Sequence, residues 1–241
     1  MQSNVPRIAV IQHEDLAPLD QLTDALASAE LVVVRPGAGD ELPPLSDVDG
    51  VIVLGGTMSA YDDETTPWLP AVRDYVRDCV ETEVVTLGIC LGAQLLAVAL
   101  GGEVERSAPS GPERGIVELR MRPDAADDAL LGPLVAELGR DVLVPSSHDD
   151  VVSTLPENAI WLASSRQYPF QAFRVGSAWG LQFHPEAGED RLAAWTRHDG
   201  GDDAAVEQVR ADHRAAAAQL ARLAELIGER FVALAGARVA S

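Results

Sequence analysis

"TLGICLGAQLLA" (Thr86–Ala97) sets one cysteine between two glycines, with an apolar run before it and an alanine- and leucine-rich run after it. The run "EVVTLG" reads as a buried strand and the residues after Cys90 favour a helix, so the chain turns sharply at the cysteine. Such a turn leaves no room for side chains at the flanking positions and holds the residue between them in a strained backbone. Gly88 and Gly92 suit both flanks. The G-x-C-x-G pattern is the cysteine form of the G-x-S-x-G nucleophile elbow, which lifts a nucleophile above a sheet at the start of a helix. Amides and dipole at that helix end favour a thiolate. The same letters also fit a core cysteine between two packing glycines, because short motifs match by chance.

Moving outward from the elbow, short apolar runs recur without alternation: "RIAVIQ" (7–12), "LVVV" (31–34), "GVIVLGG" (50–56) and "VVTLG" (84–88). Between them lie two stretches of helical spacing. One is "PLDQLTDALASAE", with Leu19, Leu22 and Leu26 on one face; the other starts near Pro67 and carries Leu69, Val72, Val76 and Val80. Continuous apolar strands separated by amphipathic helices predict an α/β fold, a three-layer α/β/α arrangement around a twisted, mainly parallel sheet. Ligands of such sheets bind beyond the carboxyl ends of the strands. Further on, "IVELRM" (116–121) alternates, and "DVLVPSS", "AIWLASS", "QAFRVG" and "AWGLQF" follow with turn residues between them. They read as added, partly antiparallel strands. Residues 1–190 are expected to form one domain. Residues 191–241 are expected to be a helical extension packed on it, with a broken apolar stripe at Val209, Leu220, Leu223, Ile227 and Phe231.

Charge narrows the partners. The 18 basic against 38 acidic residues leave a net charge of −20, which repels nucleic acid and anionic membrane surfaces. No apolar run is long enough to span a bilayer. Two cysteines cannot build a disulfide framework, and "MQSNVPRIAVIQHED" lacks a signal peptide's apolar stretch, so a reducing cytoplasm is the expected compartment. No cysteine or histidine pair has metal-ligand spacing, and neither metal nor cofactor is expected.

A thiol nucleophile needs a base, and the base needs something to orient it. Of the five histidines, His13, His198 and His213 fall in stretches that read as loop or exposed helix. His184 differs: it ends the apolar run "WGLQF" and precedes Pro185 and Glu186. Residues two apart at a strand end point the same way, so Glu186 can accept a hydrogen bond from the imidazole and set its tautomer. Taken alone, "HPE" also fits a surface turn.

Together these motifs resemble the class I, triad-type glutamine amidotransferases, and among them stand-alone members similar to the amidotransferase domain of GMP synthase. The matching stretches are "VLGG" (53–56), "GICLGAQ" (88–94), "SHDD" (147–150) and "LQFHPE" (181–186), in the family's order. The resemblance covers about Arg7 to Glu186. It implies a flavodoxin-like sheet with Cys90 as nucleophile, His184 as base and Glu186 as orienting acid. It also implies an oxyanion hole from the backbone amides of Gly56 and Leu91, and substrate binding by Gly55, Gln94 and the Ser147, His148, Asp149 loop. Cys90 would attack the side-chain carboxamide of glutamine, His184 would protonate the departing ammonia, and water would cleave the γ-glutamyl thioester.

The chain departs from the family pattern in two places. Asp149 stands where many relatives have glycine, which bears on substrate preference. Thr57-Met58-Ser59 follows the glycines where GMP synthases usually place proline. Glu113-Arg114-Gly115 matches an E-x-G that some stand-alone members carry. The sequence contains no phosphate-binding loop or dinucleotide fingerprint for activating an acceptor. Either a separate synthetase takes the ammonia, or the chain hydrolyses glutamine or γ-glutamyl amides alone, as γ-glutamyl peptidases do. A cysteine α/β-hydrolase would place the acid before the histidine, and here the histidine comes first. A non-catalytic scaffold is the remaining alternative, against which the intact triad argues.

Overall fold

The computed structural model describes residues 5–239. Its strands are β1 (Arg7–Ile11), β2 (Glu30–Val34), β3 (Gly50–Val53), β4 (Val85–Ile89), β5 (Glu103–Glu105), β6 (Glu113–Met121), β7 (Asp141–His148), β8 (Val151–Thr154), β9 (Ile160–Ser165), β10 (Ala172–Val175) and β11 (Ala178–Leu181). Its α-helices are α1 (Leu22–Ala25), α2 (Leu69–Glu81), α3 (Leu91–Ala99), α4 (Gly132–Leu138), α5 (Glu189–His198) and α6 (Asp203–Val239).

Nine strands form one sheet in the order β2-β1-β3-β4-β11-β10-β9-β6-β7, and β5 pairs separately with β8. From β2 to β11 all neighbours are parallel. From β11 to β7 all are antiparallel. The parallel half explains the unalternated apolar runs, because helices cover both of its faces. Ile8 and Val10 of β1 point into a core shared with Leu223, Ile227 and Phe231 of α6. Ala9 and Ile11, on the opposite pleat, join a core with Val72 and Val76 of α2 and Leu95 and Leu96 of α3. This is the expected three-layer α/β/α fold.

The helix expected over "PLDQLTDALASAE" shortens to the single turn α1. Asp20 takes a positive φ of 42°, and β2 already begins at Glu30, so little length is left for a helix. Leu19, Leu22 and Leu26 still reach the core. The β5–β8 ribbon and α4 lie in stretches whose short apolar runs carry no clear period. All five stripe positions of the C-terminal segment are buried. There α6 packs on α1, α4, α5 and the antiparallel pair β6 and β7. His213, expected on an exposed helix face, is buried instead, and that burial lowers its pKa. No helix among the described residues is long and apolar enough to cross a membrane.

Candidate active site

Cys90 is the residue before α3, with φ 51° and ψ −107°, a backbone conformation that L side chains rarely adopt. Two close approaches force it. A Cβ on Gly92 would lie 2.0 Å from the Val53 carbonyl oxygen, and one on Gly88 would lie 2.5 Å from the Gly92 backbone. Helix α3 therefore starts pressed against β3 and β4, which the two glycines alone permit. The Cys90 amide donates to Leu181 O at 2.7 Å, so the end of β11 also holds the turn.

The imidazole comes from the same edge. β11 runs parallel beside β4 with Leu181 opposite Ile89, which carries the following residues alongside Cys90. The strand ends at Leu181, short of His184, so strand alternation does not orient the pair. A loop does, pinned where the His184 amide donates to Pro145 O at 2.9 Å. His184 Nδ1 lies 2.6 Å from Glu186 Oε1, and Nε2 lies 3.4 Å from Ser147 O. Cys90 Sγ points at the same Ser147 carbonyl, at 3.9 Å. Trp195 of α5 packs on the imidazole with ring centroids 4.5 Å apart. Burial is the largest influence on His184 and disfavours its charge. The negative charges of Glu186 and Cys90 and their hydrogen bonds outweigh it, and the pKa stands well above the ordinary histidine value.

These groups open into a cleft of about 500 Å³ at the carboxyl ends of the parallel strands. Gly56 lies against the start of α3: a Cβ there would meet Leu91 Cδ2 at 3.0 Å and Met58 Sδ at 2.5 Å. Gly55 backs the imidazole, where a Cβ would sit 3.1 Å from His184 Cε1. Gln94 is buried, and its Nε2 donates to Asp150 O at 2.9 Å and to Gln182 Oε1 at 3.3 Å. Ser147 and His148 end β7 and Asp149 follows them, all three lining the cleft. All the residues that the sequence singles out thus gather at one end of the sheet. No group of three or more His, Cys, Asp or Glu side chains among the described residues could hold a metal ion.

Several neighbours have no site role assigned from the sequence. Gln182 donates to Cys90 Sγ at 3.6 Å. Arg114 bridges Asp149 and Asp199, at 2.7 Å to each. Glu113 is buried and accepts from Gln171 and Ser165 at 2.6 Å each, while His148 Nε2 lies 3.2 Å from it. Its E-x-G motif was the one available signal. His13, expected to be solvated, is buried beside Gly56 and accepts the Trp68 indole N–H at 3.3 Å; burial lowers its pKa to about 4. His198 is exposed as expected, on the cleft rim.

The family model for class I glutamine amidotransferases matches residues 20–193. The chain belongs to the class I glutamine amidotransferases. Among curated relatives of this amidotransferase, a glutamine-hydrolyzing GMP synthase of Porphyromonas gingivalis is 37% identical over 144 residues, 59% of this chain and 26% of that protein. A protein of Methanosarcina acetivorans, named as one of the subunits of a glutamine-hydrolyzing GMP synthase, is 40% identical over 47% of this chain and 54% of its own. Gamma-glutamyl peptidase 4 of Arabidopsis thaliana is 30% identical over 66% of this chain and 62% of its own. The amidotransferase thus spans about a quarter to just over half of the GMP synthase proteins it matches. A solved glutamine amidotransferase of Methylobacillus flagellatus superimposes with a TM-score of 0.82 at 29% identity, covering 96% of each chain. The chain is accordingly an enzyme of the amidotransferase class, built on that class's fold.

Proposed function

We propose that the chain is a cysteine-dependent glutaminase, which cleaves the side-chain amide of glutamine through a γ-glutamyl thioester. One observation carries this reading: Cys90 is held at φ 51° before α3, in a cleft also lined by His184, whose imidazole lies 2.6 Å from the buried Glu186.

In this reading the Cys90 thiolate adds to the amide carbon, and the oxyanion is met by the backbone N–H groups of Gly56 and Leu91. His184, protonated and held by Glu186, gives its Nε2 proton to the amide nitrogen as the C–N bond breaks, and ammonia leaves. Water then gives His184 a proton and adds to the thioester, releasing glutamate and the thiolate. Gln94, Gly55 and the Ser147, His148, Asp149 segment hold the amino-acid end of the substrate. Residues 1–190 carry the chemistry, residues 191–241 pack on them as an extension, and the protein works in the cytoplasm, where the thiol stays reduced. The ammonia passes to a separate synthetase, a reading supported by the Methanosarcina relative being named as one component of a larger synthase.

A second reading is a stand-alone hydrolase of γ-glutamyl amides or peptides. It is favoured by the Arabidopsis peptidase, whose match covers more of both chains than those of the two GMP synthase relatives described. Incubating purified protein with glutamine and with γ-glutamyl peptides, and detecting ammonia, glutamate and released amine by mass, separates the two. Ammonia from glutamine supports the glutaminase. Turnover of peptides alone supports the hydrolase. Turnover of neither sinks both and favours a scaffold.

A further inference from the structure

Glu14 follows β1 at the same end of the sheet as Cys90, and it lines the cleft together with Thr57. Its carboxylate accepts the Thr57 amide at 2.7 Å and the Thr57 hydroxyl at 3.0 Å. Thr57 is the residue directly after Gly56. The brace extends backward from there. Gln12 Nε2 donates to Glu14 O at 2.9 Å, and His13 Cβ lies 3.5 Å from the position a Cβ on Gly56 would take.

A loop of two consecutive glycines has little conformational preference of its own. An oxyanion donor works only when its N–H is aimed before the reaction starts, and a misplacement of about 1 Å costs about a hundredfold in rate. We infer that Glu14 is a positioning residue: by clamping both donors of Thr57 it fixes the Gly55–Gly56 peptides so that the Gly56 N–H faces the developing oxyanion. The inference rests on the proposed role of Gly56. Each Glu14 oxygen accepts one hydrogen bond from the loop, so the carboxylate is tied to Thr57 through both oxygens.

The test compares wild type, Glu14→Ala, Glu14→Gln and Thr57→Val on γ-glutamyl-p-nitroanilide. It reads kcat and KM, the rate of Cys90 alkylation by iodoacetamide, and thermal stability. Glu14→Ala is expected to lower kcat about ten- to a hundredfold with KM within about twofold, and to leave alkylation unchanged, because alkylation develops no oxyanion. Glu14→Gln keeps an acceptor for the Thr57 amide and is expected to retain kcat within about threefold. Thr57→Val keeps the amide and loses the hydroxyl, so its kcat is expected between wild type and Glu14→Ala. Wild-type kcat in Glu14→Ala overturns the inference. So does a raised KM with unchanged kcat in both Glu14 variants, which would make Glu14 a ligand of the substrate. If Glu14→Ala does not fold, full kcat in Thr57→Val overturns it. A wild-type enzyme that releases no p-nitroaniline and no product from glutamine removes the glutaminase reading and this inference together. An active wild type with an equally active Glu14→Ala removes the inference alone.

Discussion

Glu186 Oε1 stands 2.6 Å from His184 Nδ1, and both side chains are sealed from solvent. Burial works against charge on the imidazole, and that carboxylate is the strongest of the influences that nevertheless raise the His184 pKa well above its ordinary value. A raised folded-state pKa means that the imidazolium adds stability fully below about pH 6.5, and that this is lost as pH rises through the raised value. The alkaline limb of kcat/KM is therefore expected well above pH 6.5. Glu186→Gln removes the supporting charge, so the limb should move to lower pH and kcat should fall. A pH–rate profile of the two proteins checks this, and an unmoved limb would contradict it.

Cys90→Ala is expected to remove amide hydrolysis altogether while leaving the far-ultraviolet circular dichroism spectrum unchanged. The smaller side chain relieves nothing in the turn, which the backbone itself holds. His184→Ala is expected to lose about two to four orders of magnitude in rate. It should also slow alkylation of Cys90, and equal alkylation rates would count against the pairing.

Gly92→Ala places a methyl group 2.0 Å from the Val53 carbonyl oxygen, a backbone atom that cannot swing aside. Overpacking of this kind costs about 1–3 kcal/mol or more, and here relief requires α3 to back away from β3. We expect a clear fall in the denaturant midpoint. Any folded fraction should have lost activity in excess of its lost stability, because Cys90 moves with the helix.

His13 binds its proton only near pH 4 in the folded chain, since burial lowers its pKa, whereas in the unfolded chain it does so near 6.5. Stability should therefore drop as pH falls from 6.5 towards 4, by up to about 3 kcal/mol from this group. His213, also lowered by burial, acts in the same direction. Chemical denaturation across that range is expected to give a shallower slope for His13→Asn, and parallel slopes would refute it.

Arg114 ties Asp149 on the β7 rim to Asp199 after α5. Arg114→Ala frees both carboxylates at the rim of the cleft, where the proposed function puts the substrate's amino-acid end. KM for glutamine should change several-fold while kcat and Cys90 alkylation hold. A change confined to kcat would remove Asp149 from substrate binding.

Spacing alone revealed much of this protein. Gly88 records a clash that a side chain would meet four residues on, at the Gly92 backbone, while Gly92 records one with the distant Val53 carbonyl of β3, and the unalternated runs of β1, β3 and β4 record burial on both faces. "HPE" is equally local, because the base and its acid are two residues apart. What sequence could not decide is sheet order. Only the parallel pairing of β11 with β4 carries His184 alongside Cys90, and only the brace from β1 sets Glu14 on Thr57. Gln182, Arg114 and Trp195 reach Cys90, Asp149 and His184 by the same long-range route. His13 and His213 look solvated because polarity is a local property, whereas His13 is buried beside Gly56 and Trp68, and His213, itself on α6, is buried near Ala187 and Glu189. Local strain and burial period are written residue by residue, but which strand lies beside which is settled only when the whole core closes.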